Sequence, residues 1–278
     1  MNPETIFMCP LCRNRLVIEE KKMTCPLNHQ YDISREGYVN LLLPNMKRSS
    51  SPGDSAEMIR SRNRFLNAGH YSALPEYICG IIKKHLPETE NPRLRILDAG
   101  CGEGYVLSVL EKNLRSTPAE FFGIDISKDA VKTASRRSGR ISFAVAGLFS
   151  MPVADSTVDC LLNIFAPSPA PEFGRVLTEK GIIIHVHPGE QHLLSLRENL
   201  FTGMRPLRKK DRLEATFTLC STEELKYNFN IEGKENIADL VNMTPYAWKT
   251  GRERLTGFLT HTGRLGTTAH FILSVFSK

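Results

Sequence analysis

The chain has 278 residues, of which 41% are hydrophobic, and this composition supports a buried core and excludes disorder as the default state. No run approaches the roughly 20 apolar residues of a membrane span, and no apolar signal region precedes Cys9, so we expect a cytoplasmic protein. The net charge of +6 comes from basic clusters, which favour a polyanionic partner, although each cluster is also compatible with a solvated surface.

Four metal-ligating side chains lie near the start of the chain. Cys9 and Cys12 form C-P-L-C, and Cys25 and His29 form C-P-L-N-H. Two such turns joined by a hairpin place three thiolates and an imidazole at the corners of a tetrahedron, the closed geometry of structural zinc. The sequence therefore predicts a zinc-binding module over residues 1–45, and reduced cysteines with a bystander histidine are the alternative. The four later cysteines fit burial better than a disulfide framework.

A change of composition separates this module from the rest of the chain. Residues 46–55 are rich in Ser, Pro, Gly and charge, which predicts a linker, and residues 56–278 then form the larger domain. Asp54 or Ser55 is suited to cap a first helix, and apolar spacing predicts a second helix over 74–86.

From Arg95 onward, short apolar runs alternate with helical stretches. Strands are predicted at 95–100, 120–126, 141–147, 158–165 and 181–188, with helices from Glu103, Lys128, Pro171 and Glu190. This βαβ series predicts a doubly wound parallel sheet. Near the C-terminus, the runs 213–220 and 268–276 indicate an antiparallel strand pair around a helix within 235–258.

The stretch LDAGCGEGY, residues 97–105, indicates a cofactor loop. It follows Asp98 with three glycines at alternate positions, Gly100, Gly102 and Gly104. Such glycines permit a tight strand-to-helix turn and let amide groups approach a ligand at the helix N-terminus. Tyr105 occupies the place of the third glycine of a dinucleotide fingerprint, so NAD chemistry is disfavoured, and the pattern looks like the first motif of S-adenosylmethionine-dependent methyltransferases. Asp125 ends the next strand, where a carboxylate accepts two ribose hydroxyls.

Two later segments are candidates by position in the fold alone. Ala146, Gly147 and Leu148 follow a strand where an adenine ring would lie. Residues 163–169, NIFAPSP, follow the fourth strand at the crevice where open α/β sheets bind substrates, and a proline-rich turn is the alternative.

An ordered set of strings resembles the family of large-subunit ribosomal RNA guanine-N1 methyltransferases over nearly the whole chain. The strings are the two metal-ligand turns C-P-L-C and C-P-L-N-H, followed by HQYDISREGYVNLL, KRSSSPGDSAEM, RSRNRFLNAGHY, LDAGCGEGY and MTPYAWK. The resemblance implies a seven-stranded, Rossmann-like methyltransferase domain that transfers a methyl group from S-adenosylmethionine to N1 of a guanosine in a hairpin loop of 23S rRNA. Two departures from the family pattern occur, a missing cysteine in IFAPSP and a missing second glycine in EKGIII.

The resemblance also implies site residues. The zinc ligands would be Cys9, Cys12, Cys25 and His29. The methyl donor would contact Tyr71, Gly104, Tyr105 and His192, of which Tyr71 and His192 have packing and capping as alternatives. Guanine N1 carries a proton at neutral pH, so a base or an anion stabiliser is expected. Glu103, His187 and His192 are unranked candidates, and no catalytic residue is assigned.

The RNA target suggests a use for the zinc module. Guanine N1 is paired in a duplex, so an enzyme must take a loop base or flip one out, and a compact module would grip the RNA beside it. Tyr31, Tyr38, Lys47 and Arg48 have suitable chemistry, although both tyrosines also suit the module's core. On the first helix, Arg60 and Arg64 share one face and Arg62 another.

Two other functions fit the same residues. One is a small-molecule methyltransferase, for a quinone or metabolite, with the zinc module as a lid. The other is a non-catalytic RNA-binding or ribosome-assembly protein on a methyltransferase scaffold, which the intact glycine loop and Asp125 disfavour. A homodimer is compatible with the sequence.

Overall fold

A computed structural model describes residues 4–46, 53–86, 93–201 and 213–278. Within these ranges the chain forms two β-sheets, with helices packed on the larger one. No helix of these ranges has the length and apolar character that a membrane crossing requires. Lys47 and Arg48, which are candidate RNA contacts, lie outside them, as do residues 205–212, one of the basic clusters of the sequence.

The smaller sheet is the predicted zinc module. Its four antiparallel strands, in spatial order, are β1 (Glu4–Met8), β2 (Arg15–Glu19), β3 (Lys22–Thr24) and β4 (Gln30–Asp32). Glu20 and Asn28 have φ values of 50° and 61°, the left-handed conformation that tight turns require. These turns bring the two cysteine-containing segments to the same end of the sheet.

The larger sheet has eight strands in the order β11-β12-β10-β9-β6-β7-β8-β5. The strands are β5 (Tyr38–Asn40), β6 (Leu94–Ala99), β7 (Ala119–Asp125), β8 (Ile141–Val145), β9 (Val158–Ile164), β10 (Leu177–Pro188), β11 (Thr218–Glu232) and β12 (Arg264–Ser277). All neighbouring pairs are parallel except those of β12, which runs antiparallel to β10 and β11. The predicted seven-stranded, Rossmann-like class is confirmed by β6 to β12.

The eighth strand comes from the predicted zinc module. β5 pairs in parallel with β8, through Tyr38 opposite Phe143 and Asn40 opposite Val145. The hydrogen-bonded sheet therefore crosses the predicted boundary at residue 45. The division into 1–45, 46–55 and 56–278 stays a prediction about domains.

Nine helices of four or more residues occur in the described part of the chain. They are α1 (Ala56–Asn67), α2 (Ala73–His85), α3 (Tyr105–Asn113), α4 (Lys128–Ser135), α5 (Ala170–Val176), α6 (Leu194–Leu200), α7 (Lys234–Asn242), α8 (Tyr246–Lys249) and α9 (Arg252–His261). Ser55, one of two candidate caps, accepts a hydrogen bond from the Met58 amide at 3.3 Å and so begins α1.

The two faces of the larger sheet are covered differently. Consecutive residues of one strand point to opposite faces, and Ile96 and Leu97 accordingly belong to separate apolar clusters. The cluster of Ile96 contains the buried faces of α2, α3, α4, α6 and α7. The cluster of Leu97 contains Ile6 and Phe7 of the zinc module together with α5. The module is thus a packing layer of the sheet.

Hydrogen bonds fix this layer in place. The amide of Met8 donates to the carbonyl of Pro152 at 2.8 Å, and the amide of Ala154 donates to Ile6 at 2.9 Å. The ring of Phe7 meets that of Phe122 on β7 edge to face, with centroids 5.8 Å apart. β1 therefore joins the segment that follows β8 in addition to covering the sheet.

Candidate functional site

The four predicted zinc ligands converge. Their ligand atoms all lie within 4.8 Å of one another. The Sγ atoms of Cys12 and Cys25 are 3.6 Å apart, and Nδ1 of His29 is 3.4 Å from Sγ of Cys9. A tetrahedron with Zn–S bonds of ~2.3 Å separates its ligands by about 3.7 Å. The donor set and its spacing therefore fit zinc, with His29 binding through Nδ1.

Neighbouring groups orient these ligands. The Tyr31 hydroxyl lies 3.1 Å from Sγ of Cys9, and the His29 amide donates to Sγ of Cys25 at 3.3 Å. Hydrogen bonding by Asn14, first through its backbone, lowers the pKa of Cys12 to about 6 and favours the thiolate that binds metal. Tyr31 packs beside the ligand cluster, which supports its alternative role in the module's core. Tyr38 is buried instead in the apolar cluster of the larger sheet.

The glycine loop lies between β6 and α3, at the carboxyl edge of the sheet. Gly100 and Gly104 have φ values of 95° and 77°. A Cβ at Gly100 would come 2.5 Å from Cβ of Ala166, and one at Gly104 would come 2.7 Å from Cβ of Ala134. Both positions thus require glycine. Ala166 follows β9, so the loop lies at the switch point between β6 and β9 where such sheets bind ligands.

Asp125 is tied to the same loop. One carboxylate oxygen accepts the Gly102 amide at 2.9 Å, and the other accepts the Ser127 amide at 2.8 Å. Burial raises the pKa of Asp125 above its usual value, and the hydrogen bonds from these two amides offset only part of that shift. Each carboxylate oxygen has a further lone pair, so the group can still accept two ribose hydroxyls. The arrangement fits the nucleoside half of S-adenosylmethionine.

Asp98 is a buried acid with an unpaired atom. Its side chain is 2% exposed, and Oδ1 has no hydrogen-bond partner among the described residues. Burial, together with the charge of Asp125, raises the pKa of Asp98 to about 8. An unpaired buried carboxyl costs free energy that a cationic group would recover. S-adenosylmethionine carries such groups, its sulfonium and its ammonium, so this end of the cradle fits it too.

Tyr71 and His192 are in direct contact. The Tyr71 hydroxyl oxygen lies 3.3 Å from Nε2 of His192, and the His270 amide donates to Nδ1 of His192 at 3.3 Å. Burial lowers the pKa of His192 to about 4, so the ring is neutral with its proton on Nε2. His192 therefore donates to Tyr71, whose own hydroxyl hydrogen is left for another acceptor. Burial also raises the pKa of Tyr71 well above its usual range.

The Tyr71–His192 pair is connected to the glycine loop through two consecutive residues. The ring of Phe165 lies 5.6 Å from that of His192, and the next residue, Ala166, packs on Gly100. Tyr105 begins α3 on the other side of the loop, with the Arg137 guanidinium 5.4 Å from its ring centre. Six of the eight predicted cofactor residues thus belong to the loop or adjoin it, and Tyr71 and His192 are linked to it through Phe165 and Ala166. The contact of all eight with the cofactor stays a prediction.

Comparison with known proteins identifies the family. A model of the N-terminal zinc ribbon of RlmA matches residues 7–50, and a methyltransferase-domain model matches residues 90–233. A Micromonospora griseorubida protein named as a 23S rRNA (guanine-N(1)-)-methyltransferase is 33% identical over 92% of both chains. The chain belongs to the 23S rRNA (guanine-N1)-methyltransferase family.

Two further relatives of this family agree. YxjB of Bacillus subtilis, also named as a 23S rRNA (guanine-N(1)-)-methyltransferase, is 32% identical over 91% of this chain and 90% of its own. The 23S rRNA (guanine(748)-N(1))-methyltransferase of Streptomyces fradiae is 32% identical over 82% of this chain and 77% of its own. Among solved structures, YcgJ of Bacillus subtilis is 17% identical, with a TM-score of 0.49 over 73% of this chain and 98% of its own.

The candidate bases of this guanine-N1 methyltransferase differ in their surroundings. The Glu103 carboxylate is buried, is paired with Arg137 and accepts from Nδ2 of Asn63 at 3.1 Å. His192 is too weak a base at neutral pH, because burial lowers its pKa to about 4. His187 lies at the carboxyl end of β10, one position beyond the pair Val186 and Ile164. These environments favour structural roles for the first two and leave the catalytic residue unassigned.

The three arginines of α1 all make ion pairs with neighbouring carboxylates. Arg64 donates to both carboxylate oxygens of Asp239 on α7, at 2.5 and 2.7 Å. Nη1 of Arg62 lies 2.6 Å from Asp54, and its Nη2 donates to the Met243 carbonyl at 3.2 Å. Arg60 pairs with Glu57 at 2.5 Å. Arg62 is therefore held within the protein, whereas Arg60 and Arg64 remain more than half exposed, and a phosphate-binding face formed by these two arginines stays a prediction.

Three residues make contacts in the site that were not assigned from the sequence. Arg137 holds Glu103, Phe165 connects the glycine loop to His192, and Arg62 lies 3.6 Å from the position of a Gly102 Cβ. Arginines within a basic run carry no local signal for their partners. Phe165 is different, because it ends the predicted strand 158–165 and lies within the candidate substrate segment 163–169.

Proposed function

We propose that this protein transfers a methyl group from S-adenosylmethionine to N1 of a guanosine in 23S rRNA and holds one structural zinc ion. The observation that carries the proposal is the glycine loop clamped by Asp125, opposite Ala166 at the switch point of the sheet. The zinc cluster in the same chain and the family relatives, at 32–33% identity, support the rRNA substrate. A hairpin loop as the location of the guanosine is part of the proposal.

The chain's residues act mainly by positioning. S-adenosylmethionine, when bound, supplies an electrophilic methyl group on a sulfonium. Asp125 would hold its ribose and Asp98 its cationic end, and these contacts would orient the cofactor at the sheet edge. Holding the reacting atoms in line supplies a large part of the rate enhancement. The guanine N1 proton must leave during transfer, and His187 is the remaining candidate acceptor among the three residues considered.

The substrate is tested by primer extension on 23S rRNA. Methylation of N1 blocks Watson–Crick pairing, so reverse transcriptase stops one nucleotide before the modified base. Unmodified 23S rRNA incubated with protein and S-adenosylmethionine should give a new stop, and mass mapping of that fragment should show one added methyl group. Omission of the methyl donor is the control. If no stop and no mass change appear on naked rRNA or on large-subunit assembly intermediates, the proposed function is wrong.

Replacing Asp125 by alanine should weaken S-adenosylmethionine binding by roughly 1.5–3 kcal/mol, the range for hydrogen bonds to a charged group. The substitution removes the acceptor for the ribose and also frees the Gly102 amide. Isothermal titration calorimetry measures the change. Asp129→Ala, an exposed acid on α4, is the matched control and should bind like the wild type. Equal affinity of the Asp125 variant would mean that the ribose lies elsewhere.

Binding of S-adenosylmethionine should strengthen as the pH rises from 6 to 7.5. Below its pKa of about 8 the Asp98 carboxyl holds a proton, and a cationic ligand favours its loss. Affinity then rises by up to about tenfold per pH unit, while the ligand's ammonium, with a pKa of about 7.8, stays mostly protonated. Calorimetry in two buffers of different ionisation enthalpy should detect the released proton. Asp98→Asn should show neither effect, and a pH-independent wild-type affinity would contradict the proposal.

Two further proposals concern the protein's location in the cell and its oligomeric state. The rRNA substrate implies a cytoplasmic location beside the ribosome, which fractionation of cell extracts would test. We keep the homodimer as a proposal, and analytical ultracentrifugation at micromolar concentration would measure it.

A further inference from the structure

Phe165 has an unusual backbone. Its φ is 54°, a left-handed conformation that costs a bulky residue free energy and persists only where the surroundings enforce it. The Phe165 amide donates to the Val186 carbonyl at 3.0 Å. Asn163, two positions earlier, donates from Nδ2 to the carbonyls of Ala99 and Pro167, each at 3.1 Å. The turn after β9 is therefore fastened to both neighbouring strands.

This backbone sends an aromatic ring outward at the cofactor edge. Phe165 remains 45% exposed, whereas most large apolar side chains of the described residues are buried. One side of its ring meets His192 at 5.6 Å and Phe271 at 6.0 Å. The ring is thus supported from within and open to solvent elsewhere. Strain that holds an apolar ring in water brings no gain in stability, so a ligand is the natural reason for it.

The position of the ring suggests what that ligand is. Ala166, the next residue, lies against Gly100 of the cofactor loop, so Phe165 borders the point where the methyl group would be presented. A base that leaves its RNA stack loses its neighbours and regains stacking on an aromatic side chain. Guanine is flat, with a face that can stack on the ring while its N1 edge points along the ring plane.

We propose that Phe165 is the platform on which the target guanine stacks, so that the ring sets the plane of the base relative to the methyl donor. The inference rests on the proposed rRNA guanine-N1 activity and names the residue that places the base. Phe165 would then act on RNA binding and base orientation, and Tyr71 and Asp125 would act on the cofactor. The buried rings of His192 and Phe271 keep the platform rigid.

The test compares variants of Phe165 in RNA binding and methyl transfer. Phe165→Leu keeps apolar bulk and the left-handed backbone but removes the aromatic face, and Phe165→Trp and Phe165→Tyr retain it. Loss of one base–aromatic stack corresponds to a weakening of nucleic-acid binding by about 5- to 150-fold. We expect Phe165→Leu and Phe165→Ala to lower kcat/KM for the rRNA by that factor, and Phe165→Trp and Phe165→Tyr to restore most of it.

Cofactor affinity and folding separate this role from others. Calorimetric affinity for S-adenosylmethionine and the melting temperature of Phe165→Leu should stay near the wild-type values. Leu219→Ala, an exposed apolar residue on β11 that is 44% exposed, is the control and should leave kcat/KM unchanged. A Phe165→Leu variant as active as the wild type, or one whose loss follows weakened cofactor binding, overturns the proposal. If the wild type itself fails to methylate rRNA, the proposed function has failed instead.

Discussion

Replacing Cys25 by serine should remove zinc and destabilise the larger sheet as well as the zinc ribbon. The apparent binding free energy of structural zinc is about 10–16 kcal/mol, and losing even a third of it removes about 3–5 kcal/mol of stability. For a domain of this size that corresponds to a melting temperature lower by roughly 6–20 °C. A zinc module that is separated from the larger domain by a linker, as the sequence predicts, would instead leave the glycine-loop domain intact. The structure changes this expectation, because Ile6 and Phe7 are buried against the sheet.

The measurement combines elemental analysis with thermal melting followed by circular dichroism. Wild-type protein purified without chelator should contain one zinc per chain. Cys220→Ser is the matched control, since that cysteine is exposed on β11 and lies outside the ligand cluster. A wild-type protein without zinc would refute the metal site. A zinc-free Cys25→Ser variant that melts like the wild type would refute the ribbon's role as a packing layer.

Much of the sheet could be predicted because its strands are buried on both faces. Runs such as GIIIHVHP carry their own signal, and their alternation with helices predicts a parallel sheet, whereas the strand order is known only from the structure. β11 was recognised only over residues 213–220, whereas the strand spans Thr218–Glu232 and a short 3-10 turn occupies Leu213–Ala215. Its later half alternates apolar and polar residues, and this weaker period-two pattern was overlooked.

The site was predictable where the chemistry is local in sequence. The zinc ligands and the glycine loop are short motifs whose spacing fixes their geometry. Tyr71 and His192, 121 positions apart, meet only through the fold, and the resemblance to the family, not the spacing, pointed to them. The packing of the ribbon on the sheet was also invisible, because no pattern within residues 4–8 says which apolar surface they will cover.

Replacing Arg137 by methionine should destabilise the protein by about 3–5 kcal/mol, the cost of leaving a buried carboxylate without its partner. The Glu103 side chain is 1% exposed, and Nε of Arg137 donates to its carboxylate at 2.7 Å and to its backbone carbonyl at 2.8 Å. Arg136→Met is the matched control, since that neighbouring arginine is 62% exposed and pairs with Glu36 at the surface. Such a surface pair contributes at most about 1 kcal/mol.

The same pair decides the role of Glu103 between Gly102 and Gly104. A structural role predicts that the double variant Glu103→Gln, Arg137→Met recovers part of the stability lost in Arg137→Met, because no buried charge remains unpaired. A structural role also predicts that Glu103→Gln still transfers methyl groups at temperatures where the variant is folded. The variant's affinity for S-adenosylmethionine should then fall together with its melting temperature. A catalytic base would behave in the opposite way. Turnover would vanish in Glu103→Gln while its melting temperature and cofactor affinity stayed at wild-type values. That outcome would identify Glu103 as the catalytic base and contradict the structural role.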